Sequence, residues 1–197
     1  MKLEPLFTSE KNILVRLSDG EKINVQGLPV LQFDTACGQN KFYIAVLPLA
    51  RADVEFDAGI YNEGFLAKLR MALKQLEEEG RFVVIIPCVG TSAPLNTDEA
   101  EALIKTMTHT ARRIKDVRSV IGFAVPVEFL CSNVDNTGLK KTFAIRFIEE
   151  MAVKHEHYVF FADEAAVAQC GLEAELQKAG IVLYSCGGKI NARPEIK

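Results

Sequence analysis

The chain has 197 residues, 49% of them hydrophobic and 25% charged, with 23 Lys and Arg against 26 Asp and Glu and a formal net charge of −3. That length and balance predict one globular domain with a substantial core, and they argue against nucleic acid as a partner, since a duplex-binding surface needs a basic excess. No apolar run reaches the roughly 18–20 residues of a membrane span, and MKLEPLFTSEKN lacks the apolar core of a leader, so the expected compartment is the cytoplasm.

The elements follow in chain order. ILVRL (13–17) and KINV (22–25) flank Ser18-Asp19-Gly20-Glu21, and Asp-Gly between apolar runs predicts a hairpin. LPVLQF (28–33) and FYIAVLPL (42–49) are joined by only eight residues, DTACGQNK. That is too short for a crossover helix, so these two strands are expected to be antiparallel or not adjacent. Residues 1–50 thus read as an antiparallel N-terminal unit.

The texture then changes. EGFLAKLRMALKQLEEEG (63–80) has helical apolar spacing and a closing Gly80. RFVVIIPC (81–88) is a near-continuous apolar run that suits a strand buried on both faces. A helix is predicted from Thr97, as N-cap, to about Val117, then a strand over 119–127. A helix over 139–155, a strand over 157–162, a helix over 163–180 and a strand over 181–185 complete the pattern. This alternation predicts an α/β fold, a mostly parallel sheet with flanking helices over 63–188, packed on the N-terminal strands in a single 1–197 domain. The order of elements fits a partial (β/α) barrel and an open three-layer α/β/α sandwich equally.

In both architectures ligands gather at the carboxyl ends of the strands. The positions there are Cys88, Thr91 and Ser92 after the 81–87 strand, Glu128 after the 119–127 strand, Asp163 and Glu164 after the 157–162 strand, and Cys186, Gly187 and Gly188 after the last. Arg51, Asp53, Glu55 and Asp57 join them if the 42–49 strand runs parallel. A carboxylate beside apolar residues, such as Glu128, suits a general acid or a solvated strand end. Asp163 and Glu164 equally suit the start of the next helix. Cys186-Gly187-Gly188 suits an anion nest or a plain turn. Asn133, Asp135 and Asn136 read as a polar loop. His155 and His157 flank the start of a strand, the end opposite the sites, and His109 lies mid-helix in a structural role.

No metal site is predicted. The cysteines, Cys37, Cys88, Cys131, Cys170 and Cys186, are scattered without a CxxC and read as free thiols. Neither GxxxxGK[ST] nor GxGxxG occurs, so no nucleotide cofactor is expected, and no GxSxG elbow is present.

Three stretches carry a family resemblance. VRLSDGEKINVQGLPV is similar to the N-terminal hairpin and first strand of the cellulase-like glycoside hydrolases, the clan of (β/α)₈ barrels with two catalytic glutamates. GFLAKLRMALKQLEEEGRFVVIIP resembles a helix-then-strand phrase of that family, and RSVIGFAVPVEF resembles its NVIGFELWNEP phrase. The resemblance covers about residues 15–129 and implies a TIM-barrel-like fold with Glu128 in the general acid/base position. The second catalytic glutamate would lie on a late strand, where the sequence offers no match.

Three functions stand as expectations. One is binding of a small sugar-like or anionic ligand at the strand ends, with Glu128 and Asp163 facing it and Glu164, Thr91, Ser92 and Cys186 nearby. Another is glycoside hydrolysis with Glu128 as acid. The third is a homo-oligomer or interaction protein, because the N-terminal strands need their edges covered.

Overall fold

The computed structural model describes residues 3–33, 42–89, 95–131 and 137–188. Three short antiparallel strands open it: β1 (Phe7–Glu10), β2 (Ile13–Arg16) and β3 (Lys22–Ile23). β1 was not foreseen from the sequence. Its turn to β2 is Lys11-Asn12, both at positive φ (51° and 62°). That is the conformation a two-residue hairpin needs, reached here without glycine. The expected hairpin at Asp19-Gly20 is present, with Gly20 at φ 72° and Arg16 bound to both Asp19 and Glu21.

A five-stranded parallel sheet follows, in the order β10-β9-β8-β7-β4. Its strands are β4 (Ile44–Ala50), β7 (Phe82–Cys88), β8 (Val120–Ala124), β9 (Val159–Asp163) and β10 (Val182–Tyr184). The 42–49 strand is therefore not part of an antiparallel unit. It pairs in parallel with β7 over seven residues, from Ile44↔Phe82 to Ala50↔Cys88. Both faces of β4 are apolar because, although it lies at the sheet's edge, helices cover one side and the N-terminal strands the other.

Between these strands run α1 (Arg51–Val54), a small hairpin of β5 (Glu55–Asp57) and β6 (Ile60–Tyr61), α2 (Glu63–Glu78), α3 (Thr97–Arg113), α4 (Glu128–Cys131), α5 (Thr137–Lys154), α6 (Glu164–Cys170) and α7 (Glu173–Lys178). The start of α3 is set by Asn96, not Thr97. Asn96 accepts from Glu99 N–H at 2.9 Å, and the Glu99 side chain returns to Asn96 N–H at 2.9 Å. The single helix expected over 163–180 is two, because Gly171 adopts φ 68° and closes α6.

The parallel strands lie in the sheet in sequence order, with no reversal. Right-handed crossovers then place every helix on the same face. The core confirms it: Leu66, Leu69 and Leu73 of α2, Leu103 and Met107 of α3, Phe147 of α5, Val167 of α6 and Leu176 of α7 all share one buried cluster with Ala45, Leu47, Val83, Ile85, Phe123 and Phe160. The opposite face, Ile44, Val46, Val84, Ile86, Phe161, Val182 and Tyr184, packs with Phe7, Leu14, Val25 and Leu28. The α/β/α alternative is thus replaced by helices on one face and N-terminal β structure on the other.

Residues 28–31 are not a full strand, yet they tie both edges of the sheet. Leu28 N–H donates to Ser185 O at 2.9 Å and Gly187 N–H to Leu28 O at 2.9 Å, beside β10. Val46 N–H donates to Pro29 O at 2.9 Å and Leu31 N–H to Val46 O at 2.8 Å, on β4. One short segment thus runs parallel to both edge strands, so 28–31 and 42–49 are adjacent and parallel, against the antiparallel or separate arrangement expected from their short connection, and the sheet curls around its second apolar cluster.

Candidate functional site

The carboxyl ends of the parallel strands bring together Cys88, Glu128, Asp163, Tyr184 and Cys186. Glu128 does not sit on the strand itself. β8 ends at Ala124, and only Val125 N–H extends the pairing, to Phe161 O at 2.8 Å. Pro126 has no N–H for the ladder, and the chain turns there into α4, whose first residue is Glu128. The half-buried Glu128 carboxylate reaches back to the neighbouring strand end and accepts from Val89 N–H at 3.1 Å. Its described partner is therefore a backbone amide at the rim and not a surface Lys.

Cys88, the last residue of β7, is buried, and its Sγ lies 3.5 Å from Ile86 O. Burial pushes its thiol up to about 12, and the charge of Glu128 adds to the effect. Asp163 ends β9 and accepts from Ala166 N–H at 2.8 Å, which makes it the N-cap of α6. Glu164 is exposed in the first turn of that helix. Cys186 follows β10, bridged to Leu28, and its thiol is raised to about 11 by burial and then by Asp163.

Sequence reasoning missed Tyr184. It is the register partner of Asp163, fully buried, and its Oη has no hydrogen-bond partner. Burial holds its phenol far above the ordinary tyrosine range, with further contributions from Cys186, Asp163 and Cys88. The only signal in the sequence was an aromatic one position before a predicted strand end, which reads as core.

With β4 parallel, Arg51, Asp53, Glu55 and Asp57 do follow a strand end. Glu55, however, is committed to structure. Arg51 Nε meets it at 2.6 Å, Thr106 Oγ1 donates at 2.8 Å and Gly59 N–H at 2.8 Å. Burial alone would raise its pKa, but the Gly59 amide, Arg51 and Thr106 outweigh burial and hold it below the usual carboxylate range. This network staples the β5–β6 hairpin to α3. His109 of α3 stacks on Tyr61 at 3.7 Å and meets Glu63 at 3.0 Å, a structural role as expected. Thr91, Ser92, Asn133, Asp135 and Asn136 lie outside the described residues. Among the described residues no cluster of His, Cys, Asp or Glu has the geometry to hold a metal ion, and no helix is long and apolar enough to cross a membrane.

No protein-family model matches the chain, and no curated protein matches it in sequence. Solved structures do match. The catalytic domain of a mannanase from Streptomyces sp. SirexAA-E superposes with a TM-score of 0.61 at 10% identity, over 93% of this chain and 62% of that one. A GH5_18 protein from Bifidobacterium longum subsp. longum aligns over 72% of this chain and 44% of its own, at 7% identity and a TM-score of 0.49. One from Streptomyces cattleya aligns over 72% and 45%, at 9% identity and a TM-score of 0.49. The chain therefore spans about 62% of the mannanase domain it matches, and the likeness is one of fold.

Proposed function

We propose that this chain holds a saccharide at the carboxyl rim of its parallel sheet, with Glu128 as the principal polar contact. The observation that carries this reading is the position of Glu128. Its carboxylate is fixed at the rim by the Val89 amide, on the strand–turn segment that resembles the acid/base phrase of the cellulase-like hydrolases. The fold shared with a mannanase catalytic domain makes mannose-based oligosaccharides the first ligands to test.

Binding without hydrolysis fits the residues better than hydrolysis. Val127 and Phe129 flank Glu128 where the family phrase has Asn and Pro. A retaining glycosidase also needs a second carboxylate about 5–5.5 Å from the first. Of the nearby carboxylates among the described residues, Asp163 is engaged as a helix cap and Glu55 is held by Arg51, Thr106 and Gly59. The chain has no Trp, so stacking on a sugar ring falls to its 12 Phe and 4 Tyr.

Isothermal titration with manno-oligosaccharides tests the reading. Wild type is expected to bind, and Glu128→Gln, which keeps the Val89 contact but removes the charge, to bind roughly tenfold more weakly. Equal binding by both would remove Glu128 from the site. Hydrolysis with Glu128 as acid is the second reading, favoured by the same fold match. It requires release of reducing sugar from these oligosaccharides that the Gln variant loses.

A further inference from the structure

The charges at the rim restrict what it can hold. Glu128 and Asp163 follow the neighbouring strands β8 and β9, whose spacing is about 4.8 Å. Each uses one oxygen on a backbone amide, at 3.1 Å and 2.8 Å. An amide orients a carboxylate without supplying a countercharge. Arg51, on the far side of β7, is already paired with Glu55 at 2.6 Å, so that pair adds no net charge. In the described residues that directly follow β7, β8, β9 and β10 there is no Lys or Arg.

The groups beneath are neutral. Tyr184, Cys88 and Cys186 belong to one apolar cluster at the same ends of the strands. Tyr184 is the independent sign of a ligand contact. It is wholly buried, its Oη has no partner, and its strand position pairs with Asp163. A hydroxyl in that setting normally has a bond to make.

Resting on the saccharide reading above, we infer that the rim selects neutral and amino-bearing sugars and rejects uronic acids, with the buried Tyr184 supplying a hydrogen bond from below through one water. A uronate meets two like charges in a partly desolvated setting, whereas an ammonium meets two partners. Sugar hydroxyls can donate to both carboxylates.

The test is calorimetric titration of the full chain with a manno-oligosaccharide, a protonated chitosan oligosaccharide and an oligogalacturonate. The chitosan oligosaccharide is expected to bind roughly tenfold more tightly than the neutral sugar at low salt, with the advantage shrinking as salt screens it. The oligogalacturonate is expected to give no binding. Glu128→Gln and Asp163→Asn, the latter still able to cap α6, are each expected to narrow the cationic preference. Tyr184→Phe is expected to weaken neutral-sugar binding several-fold while thermal stability holds or rises, since an unpaired buried hydroxyl is removed. Unchanged affinity in Tyr184→Phe would overturn its assigned contact. Oligogalacturonate binding as tightly as the neutral sugar would overturn the charge selection and leave the saccharide site standing. Binding of none of the three would overturn the saccharide reading itself.

Discussion

His155 shows how one residue couples burial to pH. It is 3% exposed just after α5, its Nε2 has no partner, and its ring lies 5.5 Å from that of Tyr158 and 6.2 Å from that of His157. Burial, then His157 and the cations Arg112, Lys154 and Lys115, lower its affinity for a proton to about 4. The folded chain therefore keeps this ring neutral, whereas the unfolded chain protonates it near 6.5. Its contribution is complete above pH 6.5 and is lost as the pH falls toward 4. Urea unfolding at pH 7 and near pH 4.5 should show a loss that His155→Gln reduces by about 2 kcal/mol. An equal acid sensitivity in the variant would show that His155 is not its source. At the same scale, Asp163 combines the two roles its position suggested, standing at the rim while capping α6.

Strand β8 is built around one close approach. A Cβ on Gly122 would fall 1.7 Å from Val159 O and 2.8 Å from Val159 C, both backbone atoms of β9. Just beside it the register of β7 against β8 shifts: Val83 pairs with Val120 but Val84 with Gly122, which leaves Ile121 as the extra residue of a bulge. Bulges re-aim the segment that follows them, and here that segment is the turn carrying Glu128. Gly122→Ala must push β8 and β9 apart, and a cost of about 3 kcal/mol or more is expected, read as a lowered urea midpoint. A midpoint within error of wild type would mean the two strands part freely. Since the displacement lies between two rim strands, the saccharide binding proposed for the rim should weaken in the same variant.

Over the whole molecule, two apolar clusters share one sheet. Helices cover the first, and the N-terminal strands cover the second. Phe7 anchors that cover: it is 3% exposed and meets Phe82, the first residue of β7, edge-on with ring centroids 4.9 Å apart. Arg16 adds a second tie, donating to Tyr43 Oη at 2.7 Å just before β4. Phe7→Ala is expected to cost about 3–5 kcal/mol in chemical unfolding. It should also open the second cluster to a hydrophobic dye. A loss under about 1 kcal/mol would show that β1 lies loosely on the sheet. The edges of the parallel sheet meet residues 28–31, so β4 and β10 do not present long unpaired ladders at those points.

Periodicity and turn residues determined most of the local structure. The helix α2, the apolar strands β4, β7, β8 and β9, the Asp19-Gly20 hairpin and the chemistry of the rim positions were legible because each depends on neighbours within a few residues. So did the placement of Glu128 near a strand's carboxyl end. What the tertiary structure decided was long-range. The direction of β4 depends on its partner β7, which a loop length cannot specify. The single-sided helical layer follows from a strand order without reversal, and element order alone is the same for a doubly wound sheet. The 28–31 segment meets both sheet edges through backbone bonds that leave no side-chain pattern. Tyr184 lies beside Asp163 only because β10 pairs with β9, and an aromatic in an apolar run looks the same in any core.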